Sequence, residues 1–348
     1  MSVKTFGYLA NTVLNTERGP SEAIWGAPGA PNAWVEDFLQ DPRLGTYCWE
    51  EFESSGCGNL ALLGLGQATS FTNIGRWSLM VPAGGGVVDA GVVGGVISLV
   101  PGSLANSSTN QITSFLTSNF GMFQLITNSS GASALQGRLA FEARVALTSV
   151  TNGKRDAFIG LCDPLASSTV TTQALYPFTA AGSGTNNLNT TITTNGLLGF
   201  YFPSSSFASN PSGDCCFAYG LSNIAKVMGS NLRGLVSNIT GTAIAAGTYY
   251  KLGFVFDQFA PVAQISSVSD GQTAGNTAKQ MLKVYVNGVM AAAFLTQTQN
   301  ILTASFPTGI MAPLFALAPS SSGTGNTATN QSGYLNVDWV RIAQTMLA

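Results

Sequence analysis

Residues 282–294, LKVYVNGVMAAAF, constrain the fold of this chain more than any other stretch. Leu282, Val284 and Val286 alternate with Lys283 and Tyr285, and a side-chain period of two puts the three aliphatic residues on one face of a strand. Asn287-Gly288 then offers the two residue types that best tolerate positive φ at the centre of a tight hairpin turn. Residues 289–294 are the returning strand, and Lys283 and Tyr285 face outward. A hairpin is not stable alone in water, so the rest of the chain has to supply the sheets that flank it.

Candidates for those strands recur from Tyr47 onward. YCWEEFES places Tyr47, Trp49, Glu51 and Glu53 on one face and Cys48, Glu50 and Phe52 on the other. WSLMV (77–81), GGVISLV (94–100), FQLIT (123–127), GRLAFEARVAL (137–147), DAFIGLC (156–162) and GLLGFYF (196–202) follow. After them come CCFAYGL (215–221), NLRGLVSNI (231–239), YYKLGFVFD (249–257), MAPLFALA (311–318) and GYLNVDWVRIAQ (333–344). The alternation is cleanest in 137–147, where Leu139, Phe141, Ala143 and Val145 oppose Arg138, Glu142 and Arg144, read as a solvent face of alternating charge. About thirteen short strands with little helical periodicity predict an all-β chain, a β-sandwich of the jelly-roll kind or two stacked β units. Helical turns are expected only in loops, for example SNIAKVMGS at 222–230. The Gly, Ser, Thr and Asn rich stretches near 166–195, 266–278 and 319–332 read as long connections within the fold.

Composition narrows the function classes. Apolar residues make up 45% of the chain and charged residues 9%, with a net charge of −2, so the surface is neutral and rich in hydroxyl and amide groups. The 20 Phe, 9 Tyr and 5 Trp argue for a packed protein rather than a disordered one. Such a surface suits permanent association, and a homo-oligomer is expected, with a trimer among the options. The 14 Lys and Arg are scattered, with no basic run to neutralise a phosphate track, so no nucleic-acid role is expected. The apolar stretch 84–100 is broken by glycines and Asp89 and reads as strands rather than a membrane helix. The amino terminus lacks the continuous hydrophobic segment of a signal peptide, so secretion by the general route is not expected.

The chain has no histidine, which removes Ser-His and Cys-His nucleophile arrangements and most zinc chemistry. Its five cysteines have no metal-ligand spacing and read as buried thiols, with a Cys48–Cys57 bridge as the alternative. Cys215 and Cys216 would point to opposite faces of a strand. No cofactor is expected.

Residues 1–45 differ from the rest. They carry Pro20, Pro28, Pro31 and Pro42, two tryptophans and most of their charge in the same span, without strand alternation. This gives an arm or strap at 1–45 and a β-sandwich at 46–348. Two readings of the arm stand side by side: an extension that crosses a neighbouring subunit with Trp25, Trp34 and Phe38 as anchors, or a strap over the chain's own core.

Three segments together resemble the concanavalin A-like jelly roll, the group of legume lectins, laminin G-like modules and laminarinase-type glucanases. YYKLGFVFD is similar to their "W/Y-y-k-l-x-l" strand, LKVYVNGVMAAAF to their "l-x-v-Y-v-N-G" hairpin, and GYLNVDWVRIAQ to a closing strand that often reads "D-W-V-R-V". The neutral composition resembles that of tailed-phage virion structural proteins, which often carry such modules. Fold does not fix function, so a site has to be sought. The glucanases of this group use an E-x-D-x-x-E strand motif, which this chain lacks. Glu142 stands alone, and the close same-face pair Glu51 and Glu53, beside Trp49, reads as a charged edge strand. Calcium would draw on Asp257, Asp270, Asn276 and Asp338, which are dispersed, and Asp338 is expected to pair with a neighbour such as Arg341.

The resemblance and composition together imply a non-enzymatic virion structural protein. Its most specific form is a capsid decoration or cement protein bound to the major capsid protein or other virion subunits, assembled in the host cytoplasm. The alternative is a carbohydrate-binding module of a tail fibre or spike that contacts glycans through Trp49, Tyr176 and Tyr201. The hairpin is expected beside the strands at 249–257 and 333–344.

Overall fold

The computed structural model describes residues 20–25, 45–50, 70–74, 77–81, 86–89, 96–100, 114–118, 123–125, 136–150, 155–162, 197–202, 214–221, 224–227, 233–260, 279–295, 309–319 and 334–346. In chain order its strands are β1 (Gly45–Glu50), β2 (Ser70–Ile74), β3 (Trp77–Val81), β4 (Gly86–Asp89), β5 (Ile97–Val100) and β6 (Ser114–Ser118). β7 (Phe123–Leu125), β8 (Gln136–Leu147), β9 (Arg155–Cys162), β10 (Leu197–Phe202), β11 (Cys216–Leu221) and β12 (Ile224–Val227) follow. The last are β13 (Tyr249–Ala260), β14 (Lys279–Val286), β15 (Val289–Leu295), β16 (Gly309–Pro319) and β17 (Leu335–Met346). Two short helices accompany them, α1 (Glu22–Trp25) and α2 (Leu235–Thr240).

The hairpin forms as its sequence predicts. Asn287 (φ 51°) and Gly288 (φ 77°) both lie in the left-handed region, so β14 and β15 meet across a two-residue turn whose twist matches theirs. The Asn287 side chain accepts a hydrogen bond from the Lys251 backbone N–H at 2.9 Å, which ties the turn to β13. A bulge between Val284 and Tyr285 on one side and Met290 and Ala292 on the other interrupts the return strand, a feature that simple alternation does not show.

Two antiparallel sheets result. The first runs β15-β14-β13-β8-β17-β5-β4, with β1 also on β17, and the second β12-β11-β10-β9-β16-β6-β3-β2, with β7 also on β16. The hairpin therefore adjoins β13 as expected, but β8 and β13 separate it from β17. The sheets form a jelly-roll β-sandwich around one apolar layer, which takes Leu139, Phe141, Ala143 and Val145 from β8 and Leu198, Phe200 and Phe202 from β10. Its centre is aromatic. Phe141 stacks on its cross-strand partner Phe254 at 5.1 Å, and Phe217 meets Phe254 edge-on at 5.6 Å, so ring contact joins the two sheets directly.

β17 carries a second bulge, at Asp338. Val337, Val340 and Ile342 all face the core, which a regular period of two cannot achieve; the extra residue shifts the phase between them.

Two local expectations are reversed. Residues 231–239, read as a strand, contain the start of α2, and 222–230, read as helical, contain β12. Gly234 adopts φ 61° and breaks the extended run, while the buried Asp214 carboxylate accepts the N–H groups of Cys215 (2.6 Å) and Ser237 (3.2 Å) and so anchors the first turn of α2. Ile224–Val227 is extended because β11 supplies a full antiparallel ladder to it. Strands β2 and β6, without an apolar alternation long enough to mark them, were not expected.

Candidate functional site: a sealed carboxyl beneath an N-terminal strap

The outer face of the first sheet carries a row of residues that pair across four strands: Tyr285 on β14, Gly253 on β13, Glu142 on β8 and Arg341 on β17. Alternation puts Glu142 there, opposite the core residues Phe141 and Ala143, and predicts a solvated acid. The structure corrects this: Glu142 is 0% exposed. Pro20-Ser21-Glu22 opens the single turn of α1, whose Ile24 and Trp25 N–H groups bond the Ser21 carbonyl at 3.1 Å, and this turn lies over the row.

Three contacts hold the strap in place. Oε2 of Glu142 accepts a hydrogen bond from the Ser21 backbone N–H at 3.0 Å and another from Nε1 of Trp25 at 2.6 Å. Ile24 fills the space that Gly253 leaves: a Cβ at position 253 would lie 2.4 Å from Ile24 Cδ1. The Arg341 guanidinium stacks over the Trp25 ring at 4.4 Å. Ile24 and Trp25 join Ala140, Val255, Tyr285 and Ala343 in an apolar cluster of their own, separate from the core between the sheets. Tyr285, expected to face solvent, is thus buried.

Burial pushes the Glu142 carboxyl above the usual carboxylate range, and the hydrogen bonds from Ser21 and Trp25 and the positive charge of Lys251 pull it back. Oε1 of Glu142 and Oγ of Ser21 are both buried at this site. The strap occupies the space a substrate would need beside this carboxyl, so in this arrangement Glu142 acts as a clamp for the chain's own amino-terminal segment.

The neighbouring charges are also engaged. Asp338 forms an ion pair with Arg144, whose guanidinium lies 4.2 Å from the centre of the Tyr249 ring. The Arg341 guanidinium, the partner expected for Asp338, lies over the Trp25 ring. Among the described residues no three acidic or cysteine side chains come together as a metal site.

On the outer face of the second sheet, side chains of β9, β10, β11 and β16 are buried as well. Phe158, Leu197, Tyr201, Cys216, Ala218, Ala312, Leu314 and Ala316 alternate with the core residues there, and none exceeds 5% exposure. Gly160 and Gly199 pair across β9 and β10 so closely that a Cβ on either would lie 2.6 Å from the other's Cα.

The residues singled out from the sequence separate accordingly. Trp25 is 3% exposed and packs within its own chain, the strap arrangement, so its ring is not presented to a partner here. Tyr201 is wholly enclosed in β10, which corrects its reading as a glycan contact on a loop. Trp49 lies on β1 in register with Arg341. Trp34, Phe38 and Tyr176, and Glu51, Glu53, Asp270 and Asn276 considered with them, fall outside the described residues. Ser21, Ile24, Gly253 and Arg341 were missed; the signal available was a lone glycine within the strand YYKLGFVFD, which marks a close approach.

No family model and no curated protein matches this sequence. Solved structures with a similar chain course include an endo-1,3-beta-glucanase from Streptomyces sioyaensis, at 14% identity and a TM-score of 0.44, covering 88% of this chain and 98% of that one. Peanut lectin is similar at 14% identity and a TM-score of 0.41, covering 87% and 99%. A protein of unknown function from Shewanella oneidensis MR-1 is similar at 13% identity and a TM-score of 0.39, covering 92% and 97%. The fold assignment rests on the strand order and register given above.

Proposed function

We propose that this protein is a non-enzymatic structural subunit, and most specifically a decoration or cement protein that binds the major capsid protein on a phage head. The observation that supports a structural role is the commitment of three buried acids to the fold itself. Glu142 is sealed by the strap, Asp338 is paired with Arg144 and Asp214 anchors α2. What remains for contact is a surface drawn from a chain with 9% charged residues, suited to shape-matched, permanent association. Val289, Met290 and Tyr334 are large apolar side chains exposed toward the same end of the first sheet, where they would serve such a contact. The virion assignment rests on composition and on the resemblance of the three segments. In this reading Trp34 and Phe38 are the arm's partner contacts, and Trp25 holds the arm to its own domain.

The test is co-sedimentation of the purified protein with phage heads that lack it, in its original form and as Trp34→Ala/Phe38→Ala and Met290→Asp variants. Saturable binding that the variants weaken supports the proposal. Absence of binding by the original protein overturns it. A glycan array separates the carbohydrate-binding reading, for which Trp49 and Tyr176 remain the candidate contacts.

A further inference from the structure

We propose that the outer edge of β15 is the surface on which two copies of this chain associate, each laying its β15 antiparallel to the other's and so joining two first sheets into one. This rests on the reading of Val289 and Met290 as contact side chains and not on the virion assignment.

The topology places the edge. β15 ends the first sheet: β14 pairs with one side of it, and among the described residues no strand pairs with the other. An unpaired strand edge is a template for a further strand, and chains that stay single blunt it with charge, proline or irregularity. The other strands that end the two sheets carry polar groups. β4 has Asp89, β12 has Lys226, and β2 (SFTNI) has Ser70, Thr72 and Asn73. β15 reads VMAAAFL, with neither charge nor proline, and its one irregularity is the bulge at Ala291.

The sequence of β15 also fits its own copy. A two-fold axis reverses the strand, and large apolar residues at both ends with three alanines between them read alike in both directions. With the axis at Ala292, Val289 and Met290 lie level with the partner's Leu295 and Phe294, and Ala291 lies level with the partner's Ala293. Val289 is 52% exposed and Met290 48%, and Ala291, Ala292 and Ala293 are half-buried, so this side of the hairpin has apolar surface left to cover. The small alanine side chains let two backbones approach across the bulge, and no like charges meet at the axis.

The 7 residues of β15 are fewer than the roughly 20–30 a side of a stable interface, so neighbouring surface has to take part. α2 supplies it. The helix packs against β14 and β15, and its Asn238 and Thr240, with 241–243 beyond them, are exposed and uncharged. Self-pairing uses up the edge on both copies, so the assembly closes at two chains rather than growing.

Sedimentation velocity of the full-length protein at several concentrations, with no phage heads present, tests this apart from head binding. The expected result is a reversible equilibrium between one and two chains. Met290→Lys/Ala293→Lys charges the edge of both copies and should weaken association by roughly tenfold or more, while its thermal melting under dilute conditions stays that of the original single chain. Hydrogen exchange on the original protein gives a second readout that needs no variant. The amides of 290–295 should gain protection as concentration rises, and those of 139–147 should not change. A single chain at every concentration overturns the proposal, as does a three-chain species, association that the lysines leave intact, or exchange at 290–295 that does not depend on concentration. Should Met290→Lys/Ala293→Lys fail to fold, the exchange measurement decides alone.

Discussion

Nε1 of Trp25 donates a 2.6 Å hydrogen bond to Oε2 of Glu142, a residue 117 positions away at the centre of the first sheet. That bond joins an amino-terminal segment without strand character to the strand that pairs with both β13 and β17. It turns what alternation presents as a solvated acid into a buried anchor.

Trp25→Phe should keep an aromatic ring near Arg341 while leaving Oε2 with one donor fewer. Loss of one hydrogen bond to a buried carboxyl predicts a destabilisation of about 1–3 kcal/mol. Trp25→Ala also removes the ring and should cost about 3–5 kcal/mol. Chemical denaturation of the two variants beside the original protein checks both values, and equal costs would mean that the hydrogen bond contributes nothing.

Gly253→Ala places a methyl 2.4 Å from Ile24 Cδ1 and 2.9 Å from the Phe141 carbonyl oxygen. Overpacking of this kind is expected to cost about 1–3 kcal/mol. Because the nearer clash is with the end of a side chain, adding Ile24→Ala should relieve part of it. The double variant should then be more stable than the sum of the two single losses predicts, by about 0.5–3 kcal/mol in a double-mutant cycle. Strict additivity would show that Ile24 does not occupy that space in solution.

Gly160→Ala and Gly199→Ala should be more damaging than Gly253→Ala. Each new Cβ would meet backbone atoms of the facing strand, at 2.3 Å from the Leu198 oxygen for position 160 and 2.4 Å from the Ile159 oxygen for position 199. No side-chain rotation relieves such a contact, so β9 and β10 would have to separate at the middle of the second sheet. Soluble yield and thermal melting of the three glycine variants, compared side by side, give the ranking.

The two adjacent thiols should be inert in the folded protein. Cys215 faces the core, and Cys216 lies on the opposite face with its Sγ 3.4 Å from the Tyr201 carbonyl oxygen. Burial holds both thiols upward from their ordinary range, so the reactive thiolate is scarce even at alkaline pH. Alkylation at about pH 8 followed by peptide mapping should leave both unmodified until denaturant is added. Modification of either in the native protein would show that this region opens locally.

Several of these features were legible in the sequence and others were not, for definite reasons. The positive-φ turn at Asn287-Gly288 depends on two adjacent residues, and the core face of β8 depends on a period that any one strand displays. The fate of its opposite face depends on what else covers it. Glu142, Tyr285 and Arg341 sit at polar or outward positions, and nothing local says that Ser21, Ile24 and Trp25 will lie over them. The exchange of strand and helix between 222–230 and 231–239 has the same origin. β12 is extended because β11 pairs with it, and α2 is helical because Gly234 turns the chain and Asp214 receives its first turn.

The sequence by itself determined the all-β class, the hairpin and the core face of regular strands such as β8, because these follow from side-chain periodicity and from the φ preferences of Asn and Gly. Only the tertiary structure decided that the middle of the first sheet's outer face is covered, and that the isolated acid of FEARV clamps an amino-terminal strap. Those outcomes depend on contacts between segments more than a hundred residues apart, and no local pattern records a distant partner.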